Sequence, residues 1–303
     1  MVAPAAEAGR PSRTARRRIS ELLWRRPWLR AAALLTPPHA WFVLVYLLAL
    51  VALFVSAFWT VDPFTSELVK HWNVGNFKQI FEETDLRNII LRTVGLAAAV
   101  TITDAILALP IAYFMARIAS PRLRAVLFVG VLIPLWASYL ARVYSWRLIL
   151  QSDGVLNWTL AKIGLPGSGI GYSTWAMWIV FSYIWLPFMI LPVYAALERI
   201  PDSYLEASRD LGARGLRTTR SIVLPLILPG LVAGSIFTFS LTLGDFITPA
   251  LVGGGPGTAL IGSTVEANVG LNVPLAAALT SVPVAIMAVY LLAAKRLGAF
   301  EAL

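Results

Sequence analysis

The chain has 303 residues, of which 58% are hydrophobic and only 14% charged; it carries a net charge of +9 and contains no cysteine. No soluble core of this size hides so much apolar sequence, and the missing cysteines exclude disulfides, thiol nucleophiles and thiolate metal sites. A nucleic-acid binder shows a basic face on a soluble fold, and none is visible here.

Residues 1–38 form a basic tail, read as disordered, with eight Lys and Arg. It resembles a targeting peptide only superficially. The apolar run that follows is too long for a signal core and leads into Phe58 and Trp59 without a small-residue cleavage site. That run is therefore an uncleaved first span, 39–59. A helix needs about 20 mainly apolar residues to cross a hydrocarbon core of roughly 30 Å. Further spans are expected at 89–116, 125–149, 174–197, 222–247 and 274–294. Asp104 interrupts the second, and Arg142 and Arg147 interrupt the third. Lipid offers no water to free backbone groups, so the expected fold is all-α: a polytopic membrane bundle of about six helices. It runs over 39–297, with residues 298–303 as a short tail.

Lys and Arg counts set the orientation. With both termini cytoplasmic, the inner segments hold 18 basic residues and the outer segments 4. The net charge then belongs to the membrane edge. The outer loop 60–88 is acidic on balance, with Asp62, Glu67, Glu82, Glu83 and Asp85 against Lys70, Lys78 and Arg87.

The chain lacks the H-E-x-x-H, G-x-S-x-G and G-x-x-x-x-G-K-[ST] signatures. His39 and His71 are isolated. The glycine-rich stretches GLPGSGIG (164–171) and GGGPG (253–257) lack the lysine and helix context of a phosphate cradle and read as turns. No catalytic residue, metal or cofactor is expected on this chain. Nucleotide-powered transport requires a motor on a separate protein.

One inner segment, 198–221, stands apart. Its stretch EASRDLGARG holds four charged residues in ten: Glu206, Arg209, Asp210 and Arg214. Pro201 can open a helix there, and Ser203 with Glu206 fits the capping box S-x-x-E. Leu205, Ser208 and Leu211 or Gly212 share one face. Glu206 with Arg209, and Asp210 with Arg214, are spaced to pair for about 0.2–0.5 kcal/mol each. Gly212 and Gly215 can end or bend the helix. Pro225 and Pro229 are expected to bend the start of the fifth span. By pattern alone this is a bent helical element or an ordinary solvated loop.

Glu206, Ala207, Gly212, Ile222, Leu224 and Pro225 resemble the E-A-A…G…I-x-L-P pattern of permease subunits in ABC importers, with Ser208 where a second Ala usually stands. The resemblance covers roughly residues 40–295 and implies a type I importer permease. It implies that 198–221 is the coupling helix, with Glu206, Ala207, Ser208, Asp210 and Gly212 as ATPase-coupling residues. The implied partners are a cytoplasmic ATP-binding-cassette ATPase dimer, which holds ATP and Mg, a second permease subunit that is either identical or, as the polyamine group below suggests, a homologue, and an extracytoplasmic solute-binding protein. The segments RVYSWRLILQSDGVLN (142–157), YIWLPFMILPVYAALERIP (183–201) and GDFITPALVGG (244–254) look most like the spermidine/putrescine group.

A polycation wants carboxylates and aromatic faces, and ionisable residues inside spans are functional candidates. Asp245, Asp104, Tyr144 and Trp185 are the candidate path residues. Alternatively, Asp104 pairs with an arginine across the bundle, and most of the aromatic residues mark membrane interfaces. Arg142 and Arg147 suit an anion or snorkel to the outer interface. The rival readings are an ion- or proton-driven secondary transporter, with Asp104, Asp245 and Glu266 as protonation sites, and a membrane enzyme.

Overall fold

The computed structural model describes residues 27–62 and 64–296. They fall into two units, divided between Val55 and Ser56. The first unit is one long helical rod: α1 (Pro27–Trp41), a π-helical turn (Phe42–Leu47) and α2 (Leu48–Ser56), whose last residue lies past the division. Its start corrects one expectation, because residues 27–38 are helical rather than part of a disordered tail. The remainder of that tail and residues 298–303 lie outside the described residues. Pro37 and Pro38 remove two backbone donors from α1, and His39 Nδ1–H donates to the Leu35 carbonyl at 2.8 Å. Side chains from Trp41 to Leu48 are exposed and almost all apolar, as suits a helix facing lipid.

The second unit begins with a two-stranded antiparallel ribbon, β1 (Thr60–Val61) and β2 (Leu68–Val69). Asp62 closes its turn by accepting from the Phe64 and Thr65 backbone N–H groups at 2.8 and 3.0 Å. The Thr65 and Phe64 bonds hold its carboxyl below the usual carboxylate range. The helices follow in order: α3 (Gly75–Glu82), α4 (Thr84–Tyr113), α5 (Pro121–Trp136), α6 (Tyr139–Leu150), α7 (Val155–Lys162), α8 (Thr174–Glu198), α9 (Asp202–Asp210), α10 (Gly215–Thr218), α11 (Leu224–Gly244), α12 (Ile261–Val269) and α13 (Val273–Arg296). A π-helical turn, Phe114–Ile118, extends α4, and another, Thr219–Val223, joins α10 to α11.

Among the described residues, five helical stretches are long and apolar enough to cross a membrane: Leu34–Ser56, Thr84–Ile118, Thr174–Glu198, Gly215–Gly244 and Val273–Arg296. The third expected span, 125–149, is not one straight helix. It breaks at Ala137, which is extended, and Ser138, and the two parts meet at 92°. Pro134 lies one turn before the break and denies the helix a donor there.

The core of this unit lies between α4, α8 and α11. One cluster gathers Ala108, Ala112 and Met115 with Met189, Val193, Leu197, Val223 and Ile227; another joins Leu96 and Val100 to Val180, Phe181 and Ile184. In lipid the hydrocarbon is as apolar as the core, so close packing, not water exclusion, holds helices together. GLVAG (230–234) provides that closeness, placing two glycines one turn apart on α11. A Cβ on Gly230 would sit 2.7 Å from Ala196 Cβ and from the Pro192 carbonyl, and one on Gly234 would sit 2.6 Å from Met189 Sδ. Gly230→Val is therefore expected to push α11 off α8 at a cost of about 1–3 kcal/mol. The melting temperature of the detergent-purified protein should fall by several degrees; an unchanged value would show that the two helices tolerate separation.

The stretch 164–171 is largely an irregular loop, and 253–257 leads from a π-helical turn (Pro249–Gly253) into a 3-10 turn (Pro256–Thr258). At Gly254 φ is +87°, and a Cβ there would strike the Tyr172 carbonyl at 2.4 Å, so the GGGPG turn rests directly on the end of the other glycine-rich loop.

Candidate functional site

The charged segment folds into a helix, a tight turn and a second helix. Pro201 is the N-cap of α9, not its first helical residue, and no side chain caps it. The Ser203–Glu206 capping box therefore does not form, because Ser203 already lies inside the helix. Asp202 at the first position places a negative charge at the positive helix end instead. Leu205 and Ser208 are buried against the bundle as the stripe predicts, but Leu211 is 87% exposed. Gly212, at φ +73°, ends α9: its N–H donates to the Arg209 carbonyl at 2.8 Å and that of Ala213 to Ser208 at 3.0 Å. This crossed pair is a Schellman turn, which needs the left-handed backbone that glycine adopts without strain. Gly215 does not end a helix; it opens α10.

The expected pairs Glu206–Arg209 and Asp210–Arg214 do not form among the described residues. The Gly212 turn carries Arg214 off the helix that Asp210 ends, so their helical spacing is lost. Glu206, Ala207 and Asp210 are exposed. The Ser208 departure is structurally useful: its hydroxyl lies 2.8 Å from Thr218 Oγ1 and ties α9 to α10. Beside the turn lies an open cavity of about 580 Å³ lined by Tyr204, Ala207, Leu211, Ala213, Arg217 and Pro225, among others. Leu216 is 84% exposed nearby. An open groove lined by a bare Leu211 is a candidate docking surface.

Of the four path candidates, the structure brings two together. Asp245 ends α11, and its carboxylate accepts from Tyr139 Oη, from Thr248 Oγ1 at 2.6 Å and from the Ile247 N–H at 2.9 Å. The Tyr139 ring stacks on Trp185, with centroids 5.7 Å apart and planes 12° from parallel. The aromatic row continues from Trp185 to Phe188 at 6.0 Å and to Phe237 at 6.2 Å. Asp104 and Tyr144 are not in this cluster. Asp104 is fully buried and pairs with no arginine among the described residues; the polar side chain facing it is that of Ser182. Tyr144 is exposed, with the Arg147 guanidinium 5.9 Å from its ring. The Nε and Nη1 of Arg142 are buried without hydrogen-bond partners, and its guanidinium lies 5.9 Å from the Tyr139 ring. Tyr139 is one of the aromatic faces that the sequence offers a polycation, whereas Phe188 and Phe237 are not marked by it. No spacing signal marks the cluster, since Tyr139 and Asp245 are 106 positions apart.

A multi-span bundle with a projecting, groove-lined helical turn and an acidic aromatic cluster defines a membrane transport subunit. A family described as the binding-protein-dependent transport system inner membrane component matches residues 101–300, and the chain belongs to it. It is thus a multi-pass inner-membrane permease subunit of an ABC importer, which sets aside the secondary-transporter and membrane-enzyme readings. The inner membrane ABC transporter permease protein YdcU of Escherichia coli (strain K12) is 46% identical over 97% of this chain and 97% of its own length. The spermidine/putrescine transport system permease protein PotB of Salmonella typhimurium (strain LT2) is 29% identical, covering 75% of this chain and 78% of its own length. The fold matches a chain of a bacterial ABC transporter involved in the import of the acidic polysaccharide alginate, with a TM-score of 0.74 and 20% identity over 92% of this chain and 97% of that one.

Proposed function

We propose that this permease carries a polyamine such as spermidine or putrescine inward, driven by a separate cytoplasmic ATPase that grips the turn at 206–212. The observation that carries the reading is the Asp245 cluster. A carboxylate beside stacked Tyr139 and Trp185 offers both kinds of surface that bind an organic ammonium: an anion and aromatic faces. The named activity of PotB and the three sequence segments like that group support the same cargo. Glu206, Ala207, Ser208, Asp210 and Gly212 form the contact with the ATPase, whose dimer holds ATP and Mg; this chain binds neither. Both termini are cytoplasmic, in keeping with the distribution of Lys and Arg. A homologous second permease completes the pathway, and a solute-binding protein delivers cargo to the outer loops. Closure of the ATPase dimer moves the turns together and swings the bundles as rigid bodies.

The test is uptake by the reconstituted complex, with labelled spermidine in competition with putrescine, sugars, amino acids and small anions. Spermidine and putrescine are expected to compete in the same range. Competition by an anion or sugar, with none by either polyamine, would remove the cargo assignment.

A further inference from the structure

We infer that Arg117 is a positioning residue for coupling: it clasps the base of α9 to the ends of α4 and α8, so that motion of the charged turn reaches the spans. The inference rests on the reading of α9 as the ATPase handle. Arg117 lies in the π-helical turn that ends the second span, with its side chain 13% exposed. Its Nη2 donates to the carbonyls of Leu197 at 2.6 Å and Ile200 at 2.5 Å, and its Nη1 donates to Asp202 Oδ1 at 2.6 Å. Leu197 is in the last turn of α8, Ile200 lies in the three-residue connection, and Asp202 is the first residue of α9. One planar guanidinium thus joins three successive pieces of chain to a fourth.

Chemistry selects arginine for this place. Carbonyls at a helix C-terminus lack intrahelical donors and carry partial negative charge. A guanidinium supplies several donors in a fixed fork and stays charged, whereas lysine offers a single ammonium on a flexible stem. A second arginine completes the arrangement. Arg124, in the first turn of α5, donates to the Met115 and Ala116 carbonyls at 3.0 Å each, and it lies 3.6 Å from Glu198. That ion pair is half exposed and worth little; its role is to hold the π turn from which Arg117 reaches out. A further side-chain tie of α9, Ser208 to Thr218, leads into α10. Arg117 thus provides a polar side-chain link from α9 to the end of the second span.

The experiment uses the whole importer in proteoliposomes, with spermidine uptake and ATP hydrolysis measured together for Arg117→Ala, Arg117→Lys and Glu206→Arg. In Arg117→Ala the ATPase is expected to co-purify as in wild type, while spermidine carried per ATP falls about tenfold or more. Arg117→Lys keeps the charge beside Asp202 but not the fork, and should fall severalfold. An unchanged ratio in both Arg117 variants overturns the clasp. So does failure of Arg117→Ala to insert when Arg117→Lys couples normally, because the residue is then only structural. Glu206→Arg separates this from the handle reading: it should lose ATPase co-purification. If it keeps both the ATPase and uptake, the handle fails; if it loses them while Arg117 variants couple normally, only the clasp fails.

Discussion

Gly212→Val is expected to abolish solute uptake while the protein remains inserted in the membrane. At Gly212 φ is +73° and an added Cβ meets nothing within 4 Å, so the cost comes from backbone conformation and not from a clash. A left-handed residue with a Cβ costs about 1–2 kcal/mol, and a β-branched one is a genuine outlier there. The turn it would strain is held by two backbone bonds, each worth about 1 kcal/mol net. Valine therefore opens the turn and releases the 2.8 Å contact between Ser208 and Thr218. The spans do not depend on it, because their core lies between α4, α8 and α11. Asn tolerates the left-handed region, so Gly212→Asn should retain much of the uptake. Membrane-fraction immunoblots beside uptake assays measure both. Normal uptake by the valine variant would refute the coupling role of this turn.

The second large effect is expected at Asp245. Asp245→Asn keeps the shape of the side chain and an oxygen for the Ile247 N–H, and the Tyr139 and Thr248 hydroxyls can turn to accept from the new amide. What disappears is the charge. A hydrogen bond to a charged group is worth about 1.5–3 kcal/mol, which corresponds to a loss of roughly 10- to 150-fold in apparent affinity for a polyamine. The change should appear mainly as a raised KM for spermidine, with ATPase association intact. Tyr139→Phe, which removes one donor to the carboxylate but keeps the stack on Trp185, should have a smaller effect in the same assay. Unchanged spermidine kinetics in Asp245→Asn would take that residue out of the path.

Reading the spans from sequence succeeded where the signal is local. Uncharged runs around Phe181 and Ile236 are long enough to cross a bilayer, and the observed helices 174–198 and 215–244 contain or nearly match the expected spans. The turn after the charged helix was legible for the same reason, since glycine meets a backbone requirement that few residues satisfy, but the choice between Gly212 and Gly215 was not. The third span misled because apolar content says nothing about direction. Ala137 and Ser138 turn the chain through 92° without a change in hydropathy.

The sequence by itself determined an α-helical membrane bundle with a charged turn between two spans, and its resemblance to ABC importer permeases implied the class of protein. Chain length, the bilayer's demand for satisfied backbone groups and the E-A…G…L-P pattern all act within a few dozen residues. Only the tertiary structure decided which ionisable groups meet. It joined Asp245 to Tyr139, buried Asp104 beside Ser182, set Arg142 by the Tyr139 ring and laid Arg117 across the end of α8. Those meetings depend on helix rotation and on how closely Gly230 and Gly234 let α11 approach α8. Contacts between residues 80 or 106 positions apart leave no periodicity for a sequence reading to detect.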